Sequence, residues 1–189
     1  MKVSLLSFIS SCLLENACSL KHFLCVCVLK RITRQHSYTP ALEHVLRSFD
    51  TIGSSKDAER SFAELVVRPL VNDLFTRGRI DRGGPRGKCS GLSSLYDEVE
   101  DFVNIRCRSL LSCAHDLRKH AFDFVGNSVW SSLVDRLLDM DSDIFSVGDP
   151  DVFHSNFTQS VKFVKRLDQI RNDICPDTNK KSLWQHPRT

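Results

Sequence analysis

Residues Leu92 to Arg118 read LSSLYDEVEDFVNIRCRSLLSCAHDLR, and this stretch decides the fold class. Leu92, Leu95, Tyr96, Val99, Phe102, Val103, Leu110, Ala114 and Leu117 recur mostly at steps of three and four. That spacing gathers them on one face of an α-helix; a half-buried strand would alternate instead. At ~1.5 Å per residue the helix is ~40 Å long. Asp97, Glu98, Glu100 and Asp101 come early, and Arg106, Arg108, Arg118 and Lys119 come late, the order that complements a helix macrodipole.

Towards the N-terminus the chain breaks first at Thr76 to Gly91. This segment holds Gly78, Gly83, Gly84, Gly87 and Gly91 with Arg77, Arg79, Arg82, Arg86 and Lys88, and reads as an exposed basic loop. Before it, Phe62, Leu65 and Val66 share one helical side, Pro69 kinks or restarts the helix, and Leu70, Val71, Leu74 and Phe75 continue it. Thr51 to Ser55 is a turn with Gly53 as breaker and Ser55 as candidate N-cap, and Asp57 and Glu59 fall in the first turn beyond. Ala41 to Phe49 is a short amphipathic piece following Pro40.

Towards the C-terminus, Ala121 to Leu138 repeats the helical pattern with Phe122, Val125, Val129, Trp130, Leu133, Leu137 and Leu138. Asp139 to Gly148 is a loop. Asp149 before Pro150 is a strong helix start, a cap followed by proline at the first helical position. The next helix is expected to bury Phe153, Phe157, Val161, Val164 and Leu167, and to stop at Cys175-Pro176. The resulting division is an apolar N-terminus over 1–39, a helical segment over 40–75, a basic glycine-rich loop over 76–91, a helical bundle segment over 92–172 and a polar tail over 173–189. No strand pattern and no internal repeat of fixed period is present.

Composition agrees. In 189 residues, 41% hydrophobic and 26% charged is globular and argues against disorder. A net charge of +3 excludes a strongly basic nucleic-acid arm as the organising feature. The cysteines are Cys12, Cys18, Cys25, Cys27, Cys89, Cys107, Cys113 and Cys175. No pair has C-x-x-C spacing, and they read as reduced packing cysteines of a cytosolic protein. At the N-terminus, Val3 to Leu14 and Phe23 to Leu29 are apolar runs separated by polar residues, each short of the ~18 needed to cross a bilayer. They fit a secretory signal, a packed helical hairpin, or the atypical start of a partial gene product. The last is preferred.

Chemistry is tempting in several places and incomplete in each. GGPRGKCS, Gly83 to Ser90, brushes against a phosphate-binding loop, but Arg82 stands where the first glycine belongs and Cys89 where Ser or Thr must reach Mg²⁺. The arginines of that loop lack the interleaved aromatics that stack nucleobases. Asp139, Asp141 and Asp143 start like a calcium loop, but Ile144 replaces its glycine and Pro150 its glutamate. Among His22, His36, His44, His115, His120, His154 and His186 no H-E-x-x-H pair occurs, and Cys113 near His115 lacks an orienting third group. Asn156-Phe157-Thr158 is a formal glycosylation sequon on a helix. No catalytic, cofactor-binding or metal-binding residue is therefore assigned. Trp130, Phe153 and Phe157 are packing anchors, with a private core role preferred over an interface role.

Three stretches together carry a resemblance: LRSFDTIGSSKDAE (Leu46 to Glu59) followed by VVRPLVNDL (Val66 to Leu74), then FDFVGNSVW (Phe122 to Trp130), then GDPDVFHSNFTQSVKFVKRL (Gly148 to Leu167). In this order the chain resembles the middle region of subunit 2 of the conserved oligomeric Golgi complex, over roughly Leu42 to Ile170. The resemblance implies an all-α chain, an elongated bundle of antiparallel amphipathic helices within a larger tethering-subunit rod. It implies a structural subunit acting in retrograde vesicle transport within the Golgi, peripheral on the cytosolic face of the Golgi membrane. Its partners would be the other subunits of that complex, with no nucleic acid, small-molecule substrate or cofactor. Members of the family are several hundred residues long, so this chain reads as a fragment without the N-terminal coiled-coil region or the C-terminal helices. The rival readings are a secreted or lumenal helical protein with a cleaved signal and paired cysteines, an RNA-associated protein using the Arg-Gly loop, and a helical fragment without independent function.

Overall fold

Asp149 shows how local chemistry sets the elements. In the computed structural model its carboxylate Oδ1 accepts the backbone N–H groups of Asp151 at 2.9 Å and Val152 at 3.3 Å, and its carbonyl accepts that of Phe153 at 3.0 Å. Gly148 before it has φ +70°, a left-handed value that an L side chain resists. With Pro150 occupying the first helical position, the sequence fixes the start of a long helix, Pro150–Ile174, and Pro176 follows its end.

The structure describes residues 39–80, 91–117, 122–140, 144–145, 148–174, 176 and 182–183. The apolar N-terminal runs, Gly83 to Ser90, Asp141, Asp143, His22, His36, His120, His186 and every cysteine except Cys107 and Cys113 lie outside them. Among the described residues all regular structure is helical: α1 (Thr39–Thr51), α2 (Ser55–Phe62), α3 (Arg68–Leu74), α4 (Arg77–Ile80), α5 (Gly91–Asp101), α6 (Arg108–Leu117), α7 (Ser131–Asp139) and α8 (Pro150–Ile174). The chain is an all-α helical bundle. Helix α1 packs on α2 and α6, α3 on α7, and α5 on both α4 and α8.

Three joints are π-turns, one residue wider than an α-turn. Ala63–Val67 links α2 to α3 immediately before Pro69. A proline lacks the N–H for a regular turn, and its ring collides with the carbonyl four residues back. The wider turn, with Arg68 N–H bonded to the Ala63 carbonyl, carries the helix past that obstacle. The expected single helix over Leu92 to Arg118 is likewise two helices, separated by a π-turn at Phe102–Arg106. Cys107 donates to the Phe102 carbonyl at 3.0 Å, and its buried side chain fills the gap in the apolar pattern between Val103 and Leu110. The third π-turn, Val125–Trp130, leads into α7.

The core is aromatic at its centre. Tyr96 of α5 stacks on Phe163 of α8 with centroids 4.3 Å apart, and Phe75 lies 6.0 Å from Tyr96. Phe124 stacks on Phe122 and meets Phe62 of α2 edge-on, both at 5.5 Å. Each such fully buried side chain contributes on the order of 1.5–3 kcal/mol of transfer free energy. The Tyr96 hydroxyl is not stranded, lying 2.7 Å from Ser160 Oγ. Arg136 of α7 donates twice to the Phe75 carbonyl, at 3.1 and 2.7 Å, closing the C-terminus of α3.

Three expectations are corrected. Ile80 has no exposed surface, and Arg79 pairs with Glu98, so the basic segment begins as a docked helical turn rather than a solvated loop. On α8 the buried residues are Val152, Asn156, Phe163, Val164, Leu167 and Arg171, while Phe153 and Phe157 are 45% and 48% exposed. The helix is thus rotated from the register its phenylalanines suggest, because Asn156 and Arg171 find partners inside. Asn156 Nδ2 donates to the Ile144 carbonyl at 2.7 Å, so the sequon asparagine is a buried structural residue. Leu138 is also exposed, not on the core face of α7.

Candidate interaction surface

A polar clamp holds the helices that build the surface. Glu59 of α2 is buried, although its place in the first turn suggested a dipole contact at the surface. Its carboxylate accepts the Asp123 backbone N–H and, at 2.7 Å, the Asn127 side-chain amide. Ser128 Oγ donates to the Glu59 carbonyl at 2.7 Å. Asp123 spends one carboxylate oxygen on Gly126 N–H at 3.1 Å and the other on Arg171 of α8 at 2.5 Å. Arg171 also lies 3.6 Å from Asp168, whose carboxylate accepts Leu183 N–H and Ser182 Oγ–H. The clamp therefore ties α2, the 122–128 corner, α8 and residues 182–183 into one network. Buried polar groups demand such partners, and the demand fixes relative positions that apolar contact leaves loose.

With the inner side of α8 thus fixed, its outer side presents apolar groups to solvent. Phe153 and Phe157 stack on each other at 6.0 Å, with ring planes 14° apart. Phe157 and Val161 form one wall of a cleft, and Trp130 and Leu137 contribute the other. Tyr96 and Phe163 reach its floor. The hollow measures about 170 Å³ and its open lining is apolar. Leu138 is 49% exposed. Trp130 is half-buried and packs against the core, as an anchor should, whereas Phe153 and Phe157 do not have the private core role expected of them. The sequence signal for this exposure was available in the four-residue spacing Phe153-Phe157-Val161, which is a stripe of its own beside the buried one.

Elsewhere the geometry offers less. A larger open cleft of about 740 Å³ between α1 and α6 is lined by Glu43, Arg47, Asp50, Arg108 and Asp116, charges of both signs that favour neither an anion nor a cation. Cys113 borders it. Burial, then the carboxylates of Glu43 and Asp116, push its thiol up against the opposing pull of Arg47, which makes thiolate scarce. Burial likewise raises the Cys107 thiol, with Arg106 opposing. On α8, Arg166 reaches Asp97 at 3.0 Å and Glu100 at 2.8 Å, and burial pushes the Glu100 carboxyl up while Arg166 pulls it down. No group of three or more His, Cys, Asp or Glu able to hold a metal occurs among the described residues.

No protein-family model and no solved structure matches the chain. Known proteins do. The chain is 29% identical over 160 residues to conserved oligomeric Golgi complex subunit 2 of Homo sapiens, covering 81% of this chain and 21% of the relative. It is 28% identical over 138 residues to the subunit 2 of Drosophila melanogaster, covering 72% and 19%. It is 24% identical over 143 residues to that of Arabidopsis thaliana, covering 75% and 18%. The three stretches that carry the resemblance coincide with devices of the fold: the Gly53 turn and Glu59, the clamp corner at Phe122 to Trp130, and the capped start of α8. Over most of its own length, and about a fifth of theirs, this chain is a sequence relative of conserved oligomeric Golgi complex subunit 2.

Proposed function

We propose that the chain serves as a structural subunit, or a segment of one, in a Golgi vesicle-tethering complex, and acts in retrograde transport within the Golgi through helix–helix contacts rather than catalysis. The observation that carries this reading is the match to subunit 2 from an animal, an insect and a plant. Its mechanism is scaffolding: apolar stripes bury against partner helices, and charged borders set register and choice of partner. The partners are the other subunits of the complex, and the complex brings the chain to the cytosolic face of the Golgi membrane. No helix among the described residues is long and apolar enough to cross a membrane, which fits a peripheral placement.

The test is co-purification of the full tagged chain from cells, beside a Leu133→Asp variant that places a charge at a site with no exposed surface. Other subunits of the Golgi complex should be enriched with the parent chain and lost with the variant. A helical parent chain that enriches none of them overturns the proposal.

The same reading places the protein in a reducing compartment. Cys107 and Cys113 are buried and free. Denatured without reductant, the chain should titrate close to eight free thiols, the number its sequence contains. In the native chain, Cys107 should react at least ~100-fold more slowly than after denaturation, since a buried thiol reacts only through opening. A denatured chain with four or fewer free thiols favours the lumenal, disulfide-paired alternative.

A further inference from the structure

Single exposed apolar side chains are ordinary, but a stacked pair beside an unfilled apolar hollow is not. Phe153, Phe157 and Val161 form a continuous stripe on α8, beside the 170 Å³ cleft. The charges beside that stripe are arranged by sign. Asp151 lies before it, and Lys162 and Lys165 lie at its far end, all three exposed. At about 100° per residue, the three fall on the same flank of the stripe, roughly two turns apart on either side of Phe157. Arg166, further round the helix, is engaged with Asp97 and Glu100 and takes no part.

We propose that this face is a self-association surface, on which a second copy of the chain lays its own α8 antiparallel across Phe157. A two-fold axis near Phe157 sets Asp151 of one copy against Lys162 and Lys165 of the other, and does so twice. It also sets Phe153 opposite Val161 and stacks Phe157 on its counterpart. A parallel arrangement, with its two-fold along the helices, would put the two charged flanks on opposite sides of the seam and pair none of these charges. The acidic Asp149, exposed at the N-terminal cap of α8, adds to the same polarity. The sequence that complements this surface is therefore its own. The face is small against the ~1,200 Å² of a standard interface, so the dimer is weak, with a dissociation constant in about the micromolar range. This inference does not rest on the Golgi reading.

Sedimentation equilibrium of the full 189-residue chain, from about 1 to 500 μM, tests it. The expected result is a reversible monomer–dimer equilibrium. Phe157→Glu should weaken it at least ~100-fold, since two charges would be buried at the axis. Lys165→Asp, which loses two exposed pairs per dimer, should weaken it roughly tenfold, and Asp151→Lys, which loses four, should weaken it further. The triple variant Asp151→Lys/Lys162→Asp/Lys165→Asp, which exchanges both sides, should recover most of the loss, and this rescue separates pairing from misfolding. A chain that stays monomeric at the highest concentration overturns the proposal and leaves the face to a helix of another protein or to another segment of this chain. A dimer insensitive to Phe157→Glu, or one not rescued by the charge exchange, overturns it as well.

Discussion

Replacing Arg171 by methionine should destabilise the chain by about 2–4 kcal/mol, the largest loss expected from any polar substitution in it. Arg171 is 2% exposed and joins the carboxylates of Asp123 and Asp168, both mostly covered. Removing one partner of a buried ion pair costs roughly 3–5 kcal/mol because the other charge stays behind. The partial exposure of the two carboxylates lowers that figure. At ~2–4 °C per kcal/mol for a chain of this size, a loss near 3 kcal/mol moves the melting temperature by about 6–12 °C. The cost falls on the corner at 122–128, since Asp123 also holds Gly126 N–H and its backbone N–H is held by Glu59. A second substitution, Asp123→Asn, keeps an acceptor for Gly126 and removes the stranded charge. The double variant should be less destabilised than the two singles added, by about 1–3 kcal/mol. An Arg171→Met loss under about 1 kcal/mol, or strict additivity, would show that the clamp does not hold the corner to α8.

The clamp also marks the limit of what the sequence discloses. Fold class was readable because helical periodicity is a local property, and the turn at Gly53 and the start at Asp149-Pro150 were readable because each device is complete within a few residues. Pro69 could be named as an obstacle, but not the π-turn that passes it, because a wider turn leaves no mark on composition. The break between α5 and α6 was hidden for a related reason. Cys107 reads as a packing cysteine but falls outside the apolar steps of the helix, and it supplies the missing core contact after the phase shift. Glu59, Asn156 and Arg171 were the least legible of all. A polar residue becomes a core residue only when a partner from a distant segment meets it, as Asn127 meets Glu59 and Asp123 meets Arg171. No pattern within one helix reports that meeting.

Phe163→Ala should cost about 3–5 kcal/mol, and Phe157→Ala about 0–1 kcal/mol, although the two residues sit on the same helix and lose the same atoms. Phe163 is 1% exposed and stacks at 4.3 Å on Tyr96, so its removal leaves a cavity at the junction of α5 and α8 that the clamped ends of α8 cannot close. Phe157 is 48% exposed, and truncating it mainly enlarges a hollow already open to water. Chemical denaturation of both variants decides the matter, with an unchanged m-value showing that both still unfold from the native bundle. The two residues rank oppositely if α8 buries the stripe that its sequence pattern favours, so equal or reversed costs would show that the buried register of α8 is wrong. The register also separates stability from association. Phe163→Ala weakens the fold while leaving the outer stripe intact, whereas Phe157→Ala leaves the fold and removes the residue on the proposed two-fold axis. A helix that carries one aromatic for its own core and another for its surroundings can hold its shape while its partner comes and goes.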